Sequence, residues 1–418
     1  MTHKKIYITR HSRFYLLILL FMLPLAPSAQ ESYRDITQTD ILNTIRLYAD
    51  YACNTLIDEE GKSRCDYNII TGKWSSYETP WHTGQLINAL LDVYELTKDT
   101  KYLKKAIECG KWWTSLEIKD RPPLKGMIKG IHGNHIDNNL IVFATISDGT
   151  PGLYHLSQVT QNPEYARIAT NAARWMLNNM YDAKSGLCYD NVDFRTGQVI
   201  KSATDFNKKL YYLSRPNTEG YLFKDAFLFS KDTLFRTAFL TLCDSLISFQ
   251  TPEGLWMNFK PNDISKGVFH PRYNLWNAES LLEAYDMTGD LRYLNSAMKT
   301  ARFYSKYQQP DGAMFYYAKL NGYIDKSTIC SSESAFAGLI WIRLINYGMT
   351  EFTTNVDSSL SWLMNACFSQ SHPDPNLKGA VIETSIQVKH GVTTIINRDL
   401  GTIFALRFLV KYYNSKFV

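Results

Sequence analysis

The sequence is short of several features, and each shortage narrows what the chain can be. Its seven cysteines (Cys53, Cys65, Cys109, Cys188, Cys243, Cys330 and Cys367) are scattered over 418 residues without close pairs. Neither a zinc cluster nor a dense disulfide framework is indicated. An odd number leaves at least one thiol unpaired; most suit helices as small buried hydrophobes, and a Cys53–Cys65 bridge is open but unforced. Beyond the first residues there is no Lys/Arg block, and a formal charge of +5 is small for this length, so no nucleic acid or other polyanionic partner is implied. No apolar run reaches membrane-span length, since the one from Phe14 to Leu25 is only about a dozen residues. No strand-dominated segment stands out.

The short apolar run has a meaning of its own. Lys4, Lys5, Arg10 and Arg13 surround its start, and Pro27-Ser28-Ala29-Gln30 follows it. A basic stretch, a short apolar core and small residues at the end are the parts of a secretory signal peptide. Cleavage is expected after Ala29, leaving residues 30–418 as one catalytic domain in the periplasm or secreted. No Cys follows the run, so neither a lipid anchor nor any other membrane anchoring is expected after cleavage.

What is plentiful is aromatic side chains, 14% of the chain, and an internal repeat. Tyr94-Glu-Leu-Thr-Lys-Asp-Thr-Lys-Tyr-Leu103 leads into an amphipathic stretch, as does Ala284-Tyr-Asp-Met-Thr-Gly-Asp-Leu-Arg-Tyr-Leu294. His155-Leu-Ser-Gln-Val-Thr-Gln-Asn-Pro-Glu-Tyr165 is a third copy, with weaker ones at Phe229-Ser-Lys-Asp-Thr233 and Tyr347-Gly-Met-Thr350. Each reads as a helix end, a tight polar turn with an N-cap residue, and a helix start, which is an αα-hairpin. The copies recur every 60 to 70 residues, roughly.

Apolar spacing at i, i+3, i+4 and i+7 predicts two alternating helix sets. The amphipathic, outward set covers 38–57, 100–117, 163–180, 232–249, 290–308 and 351–369. The other, richer in Gly, Ala, Leu and aromatics and therefore enclosed, covers 82–97, 148–160, 219–230, 273–288, 332–347 and 399–412. Six such pairs predict an all-α fold, an (α/α)6 toroid. Connections from inner to next outer helix are tight turns. Those from outer to next inner are long: 58–81, 118–147, 181–218, 250–272, 309–331 and 370–398. Long loops in a compact domain usually carry function, and these six would gather on one face with the inner-helix N-termini.

The inner helices begin at Glu78-Thr-Pro-Trp-His-Thr-Gly-Gln85, Ser147-Asp-Gly-Thr-Pro-Gly152, Asn217-Thr-Glu-Gly220, Pro271-Arg-Tyr-Asn-Leu-Trp-Asn-Ala-Glu279, Ser331-Ser-Glu-Ser334 and Asn397-Arg-Asp-Leu400. Each start carries a carboxylate. Capping explains any one of them. Acids at every converging end, beside Trp81, His82, Arg272, Tyr273 and Trp276, exceed what capping requires and mark the face as a site. Glycoside hydrolysis needs a carboxylic acid to protonate the leaving oxygen and usually a second carboxylate. Aromatic rings stack on sugar faces, and a guanidinium grips a sugar acid's carboxylate.

The six hairpins, Asp148 in Ile146-Ser-Asp-Gly-Thr-Pro-Gly-Leu-Tyr154, and the Arg272-Tyr-Asn-Leu-Trp276 spacing resemble the unsaturated glucuronyl hydrolases and unsaturated rhamnogalacturonyl hydrolases, glycoside hydrolase families 88 and 105. The resemblance implies Asp148 as acid/base at the opening of the fourth helix, and Arg272 with Trp276 as the clamp on a uronic acid. Where that family commonly has His-Asp-x-Gly, this chain has His82-Thr-Gly-Gln85, with Thr83 in the acid's place. A second carboxylate, if used, would be Glu78, Asp137 or Glu333, and a relative acting on saturated glucuronides fits as well. His82 is the further catalytic candidate; Trp81, His132, His135, Asp137, Tyr154, Tyr273 and Glu279 are the further substrate-contacting ones.

The function expected is thus an exported glycoside hydrolase removing a terminal uronic acid, unsaturated or saturated, from polysaccharide-derived oligosaccharides. A polysaccharide lyase or uronyl epimerase on the same toroid could use His82, His132, Tyr154 and Tyr273 for proton abstraction, and a non-catalytic glycan-binding protein is the third reading. His132, His135 and Asp137 have the makings of a zinc set but lack a third His, so substrate contacts are favoured there. No metal or cofactor is expected.

Overall fold

The computed structural model describes residues 36–75, 78–131, 139–201, 222–389 and 391–418. Within them the outer helices are α1 (Gln38–Tyr51, continued by a π-helical turn to Leu56), α3 (Thr100–Ser115), α5 (Pro163–Asn179), α7 (Thr233–Phe249), α9 (Leu291–Ser305) and α11 (Thr353–Asn365). The inner ones are α2 (Thr79–Thr97), α4 (Phe143–Thr160), α6 (Leu222–Ser230), α8 (Tyr273–Thr288), α10 (Ser331–Asn346) and α12 (Leu400–Phe417). This is the (α/α)6 toroid. The outer helices bury one stripe, as α5 does with Tyr165, Ile168, Ala169, Ala172 and Met176. The inner ones are enclosed: along α4 every residue from Phe143 to Thr150 is buried.

The tight turns share one device. Thr97, Thr160, Ser230 and Thr288 each donate their hydroxyl to the carbonyl four residues back. The next residue, Lys98, Gln161, Lys231 or Gly289, takes the left-handed conformation that stops the helix. Asp99, Asn162, Asp232 or Asp290 then accepts from the amide two residues on, capping the outer helix. The turn before α11 uses Gly348 instead, at φ 92°.

Two expectations need correction. The fourth helix, α4, begins at Phe143, so Asp148 lies in its second turn rather than at its opening. The helix runs through Pro151, and Thr150 Oγ1 donates to Ser147 O (3.2 Å), the carbonyl that the missing proline N–H leaves over. The cysteines are all free thiols, so there is no Cys53–Cys65 bridge; Cys65 is held instead between Thr79 Oγ1 and Ser63 O.

The long loops also carry strands: β1 (Asp66–Asn68) and β2 (Lys73–Ser75) in the first, β3 (Leu140–Val142) in the second, β4 (Tyr181–Asp182), β5 (Leu187–Cys188), β6 (Asn191–Asp193) and β7 (Val199–Ile200) in the third, β8 (Val268–Phe269) in the fourth, β9 (Ala318–Lys319) in the fifth, β10 (Thr384–Lys389) and β11 (Val392–Arg398) in the sixth. They pair both within loops and between them. The order β10-β11-β1-β2 joins sixth to first, β3-β6-β7 joins second to third, and β8-β9 joins fourth to fifth. All pairings are antiparallel.

Helices α2 and α4 approach most closely at glycines. A Cβ on Gly84 would stand 2.2 Å from Gly149 Cα, and one on Gly149 would stand 2.1 Å from the buried Trp113 ring of α3. Glycine is required at both positions. The crossing brings Asp148 beside α2, where Gln85 Nε2 donates to Asp148 O (2.5 Å).

Candidate active site

The two faces of the toroid use carboxylates differently. On the tight-turn side, Asp99, Asp232 and Asp290 cap helices. On the loop side, Glu78 and Asp399 occupy N-cap positions of α2 and α12 yet make no capping bond with their side chains. Their oxygens point to other partners.

Along the seam of α2, α12 and the first loop, Asp399 Oδ1 stands 2.6 Å from His82 Nδ1, while its other oxygen accepts from Ser63 Oγ. Both ionisable side chains are fully buried. Burial alone would lower the imidazole's pKa, but Asp399, with Cys65 adding to it, holds it well above the usual histidine value. His82 Nε2 is 3.7 Å from Glu78 Oε2, the oxygen that also accepts from Trp81 Nε1 (3.0 Å) and lies 3.6 Å from Arg398 Nη2. Arg398 is bonded to Asp66 as well (2.9 Å).

Tyr316 bridges this seam to a second cluster, its hydroxyl 3.5 Å from Arg398 Nη1 and 3.1 Å from Arg272 Nη1. Arg272 is nearly sealed from solvent, at 2% exposure. Its Nη1 also reaches Ser332 Oγ (2.8 Å), Glu383 Oε1 (3.3 Å) and Cys330 Sγ (3.4 Å). Glu383 in turn accepts from the Ser332 amide and hydroxyl, closing the N-terminus of α10 from another loop. Glu333 lies beside this pair. Burial pushes its carboxyl well above the usual range, Arg272 opposing and Glu383 adding to the rise. Its Oε2 is buried without a hydrogen-bond partner.

On the inner helices, Trp81 and Trp276 pack edge to face with centroids 5.7 Å apart, and Trp276 continues to Phe336 and Phe404. Arg407 ties the ring of helices by donating to Gln85 Oε1 (2.8 Å) and standing 3.6 Å from Glu279 Oε1. Asp148 is buried in this layer, at 4% exposure, and Tyr273 is fully buried in the first turn of α8.

The structure therefore gathers Glu78, Trp81 and His82 on one turn of α2 and brings Trp276 against them. It directs Arg272 inward to Glu383. Tyr154 needs correction as a site residue: its hydroxyl bonds Thr170 Oγ1 of α5 (3.0 Å) and its ring packs near Phe229, because two turns beyond Asp148 that side of α4 faces the outer layer. His132, His135 and Asp137 lie outside the described residues, as does the Asn217–Gly220 segment. Asp66, Ser63, Tyr316 and Glu383 were not singled out by sequence; they sit in loops with no periodic signal. Cys65, His82 and Asp399 offer ligand atoms within 4.8 Å of one another and could take a metal, as could Asp92, Glu95 and His155 at the far ends of α2 and α4.

A sequence model of glycosyl hydrolase family 47 matches residues 63–263. No curated protein matches the chain. Among solved structures, cellobiose 2-epimerase from Bacillus thermoamylovorans is 13% identical with a TM-score of 0.69, covering 90% of this chain and 99% of its own. An unsaturated glucuronyl hydrolase specific for heparin is 14% identical at TM-score 0.65, over 91% and 99% of the two chains. The unsaturated glucuronyl hydrolase from Bacillus sp. GL1, responsible for glycosaminoglycan degradation, is 12% identical at TM-score 0.60, over 90% and 97%. The chain shares their toroidal fold.

Proposed function

We propose that this protein is an exported glycoside hydrolase that removes a terminal uronic acid, unsaturated or saturated, from oligosaccharides, with Asp148 as acid/base. The observation that carries the reading is the contrast between the two faces among the described residues: the N-cap carboxylates Asp99, Asp232 and Asp290 of the tight turns cap their helices, whereas Glu78 and Asp399 on the loop side make no capping bond and Glu78 stands against the Trp81–Trp276 pair. Acids with indole rings are what protonating a glycosidic oxygen and stacking a sugar demand. The toroid it shares with unsaturated glucuronyl hydrolases supports this chemistry, and the basic-apolar-small leader supports export to the periplasm or beyond.

Asp148→Asn is expected to lower turnover of unsaturated or saturated uronide substrates by about 100-fold or more while leaving the helical circular dichroism unchanged. Full activity in that variant would refute the assignment. Recovery of a mature form beginning at Gln30 outside the cytoplasm would test export. One observation favours a second reading, proton abstraction by an epimerase or lyase: the Tyr316 hydroxyl lies within 3.5 Å of two guanidinium groups. Ultraviolet absorbance separates the reactions, because a lyase creates a conjugated double bond and an unsaturated-uronide hydrolase consumes one. Incorporation of solvent deuterium into unchanged sugar would mark an epimerase.

A further inference from the structure

The outer wall of the toroid carries a cavity that the chemistry at the mouth does not use. It has a volume of about 430 Å³ and lies between the start of the second long loop, residues 117–126, and α5 from Arg167 to Asn179. That volume falls in the range of small-ligand sites, roughly 300–1,000 Å³. The outer helices end toward the loop face, so the cavity sits at the outer edge of the face on which Glu78, Trp81 and Trp276 meet. The same loop runs on through β3 into α4, which bears Asp148.

The walls are held in place by bonds of their own. On the loop side the Ile118 amide donates to Met127 O (2.7 Å) and the Gly126 amide to Ile118 O (2.9 Å), which closes the segment on itself. Trp175 Nε1 donates to Pro123 O (2.9 Å) and pins that segment to α5. Deeper in, the Glu117 carboxylate, only 6% exposed, faces Nη1 and Nη2 of Arg167 at 3.4 Å each and accepts from Asn171 Nδ2 (3.5 Å). Arg174 is taken by Asp232 and by the Phe235 ring.

We propose that this cavity is a second carbohydrate site, which holds an acidic stretch of the glycan while the end of the same chain lies at the mouth. The ligand class rests on the uronide reading above; the site rests on what lines it. Trp175 is half-buried with its N–H already committed to Pro123. An indole whose donor is satisfied presents an apolar surface, against which the C–H face of a sugar ring packs. Asn178, exposed in the last turn of α5, adds a carboxamide that both donates and accepts, as neighbouring sugar hydroxyls require.

Charge selects which glycan. The lining carries four cations, Lys119, Lys125, Arg167 and Arg174, against one acid, Glu117. Arg167 and Arg174 are paired to Glu164, Glu117 and Asp232, so the remaining positive field comes from the exposed Lys119 and Lys125. Lys119 Nζ stands 3.5 Å from Glu117, at 72% exposure, and so keeps most of its ammonium group toward solvent. Two ammonium groups beside an indole and a carboxamide suit a sugar chain that bears carboxylates. A glycan held there brings its end to the mouth at an effective concentration set by the span between the two sites, so chains long enough to reach both gain most.

The test is calorimetric titration of the full-length chain carrying Asp148→Asn, to suppress turnover, with unsulfated hexasaccharides of hyaluronan, polygalacturonate and alginate. At least one of them is expected to show a binding event that the double variant Lys119→Glu, Lys125→Glu abolishes. Trp175→Ala is expected to weaken the same event about tenfold, and cellohexaose, a neutral hexasaccharide, to bind there about tenfold more weakly than the acidic probe. With Asp148 restored, the double variant is expected to raise KM for that hexasaccharide about threefold or more, while cleavage of a chromogenic monouronide, too short to span both sites, stays unchanged. Absence of any binding event sensitive to the two lysines would overturn the proposal, as would cellohexaose binding there as tightly as the acidic probes. A wild type that cleaves no uronide yet binds one through Lys119, Lys125 and Trp175 defeats the hydrolase reading and keeps the cavity as a glycan site.

Discussion

A guanidinium withdrawn from water needs its charge met, and Arg272 meets it with Glu383 and a shell of hydroxyls and sulfur. Removing one member of such a pair leaves the other buried and unpaired, at a cost of about 3 kcal/mol or more. Glu383→Ala is therefore expected to destabilise the protein by that order in urea unfolding, with loss of activity as the start of α10 loses the carboxylate that holds the Ser332 amide. A Glu383→Gln variant, which keeps the hydrogen-bond geometry, should fall between. At this scale the sequence was only partly legible. Trp81, His82 and Glu78 could be picked out because they share a helix start, where the chain's own spacing puts them together. Glu383, Asp66 and Tyr316 reach the same place from loops, and nothing local in their sequence marks the meeting.

Elements were far more legible, because burial imposes a period on a helix. The outer helices follow the expected stripes to within a few residues, and the recurrent Thr/Ser-x-Asp/Asn turn is visible as text before it is visible as structure. Two departures have physical reasons: the helix expected to open at Asp148 begins at Phe143 and carries Pro151 inside it, helped by the Thr150 hydroxyl, and the β10–β11 hairpin, of 6 and 7 residues, is half-exposed strand without strong alternation. The turns allow a prediction. Gly289 already occupies the left-handed position that Lys231 fills at φ 61°, so Lys231→Gly is expected to raise stability by up to about 1 kcal/mol, read as a higher melting temperature. The α2–α4 crossing allows another in the opposite direction. Gly84→Ala would drive a methyl group into Gly149 backbone atoms at 2.2 Å, which cannot yield as a side chain could. A loss of about 2 kcal/mol or more is expected, with activity falling beyond the stability loss because Asp148 is displaced from Gln85.

In the whole molecule, the loops are coupled around the rim in neighbouring pairs, and each pairing is antiparallel. The toroid itself was foreseeable from the count and order of hairpins. The rim pairing was not, since strands of two or three residues leave no readable pattern. Among these pairings, the one between the sixth loop and the first spans nearly the whole chain: β11 aligns Arg398 with Asp66, and Asp399 reaches His82.

That last joint sets a condition on timing. Five hairpins can be synthesised, and their local turns capped, while His82 still lacks the acid that orients it and Glu78 lacks Arg398. The site stays incomplete until the sixth loop has emerged and returned to the first, so a chain lacking that loop would be latent however helical it had become. Activity would be acquired only when the ring closes, as a property of the whole circle and of no arc within it.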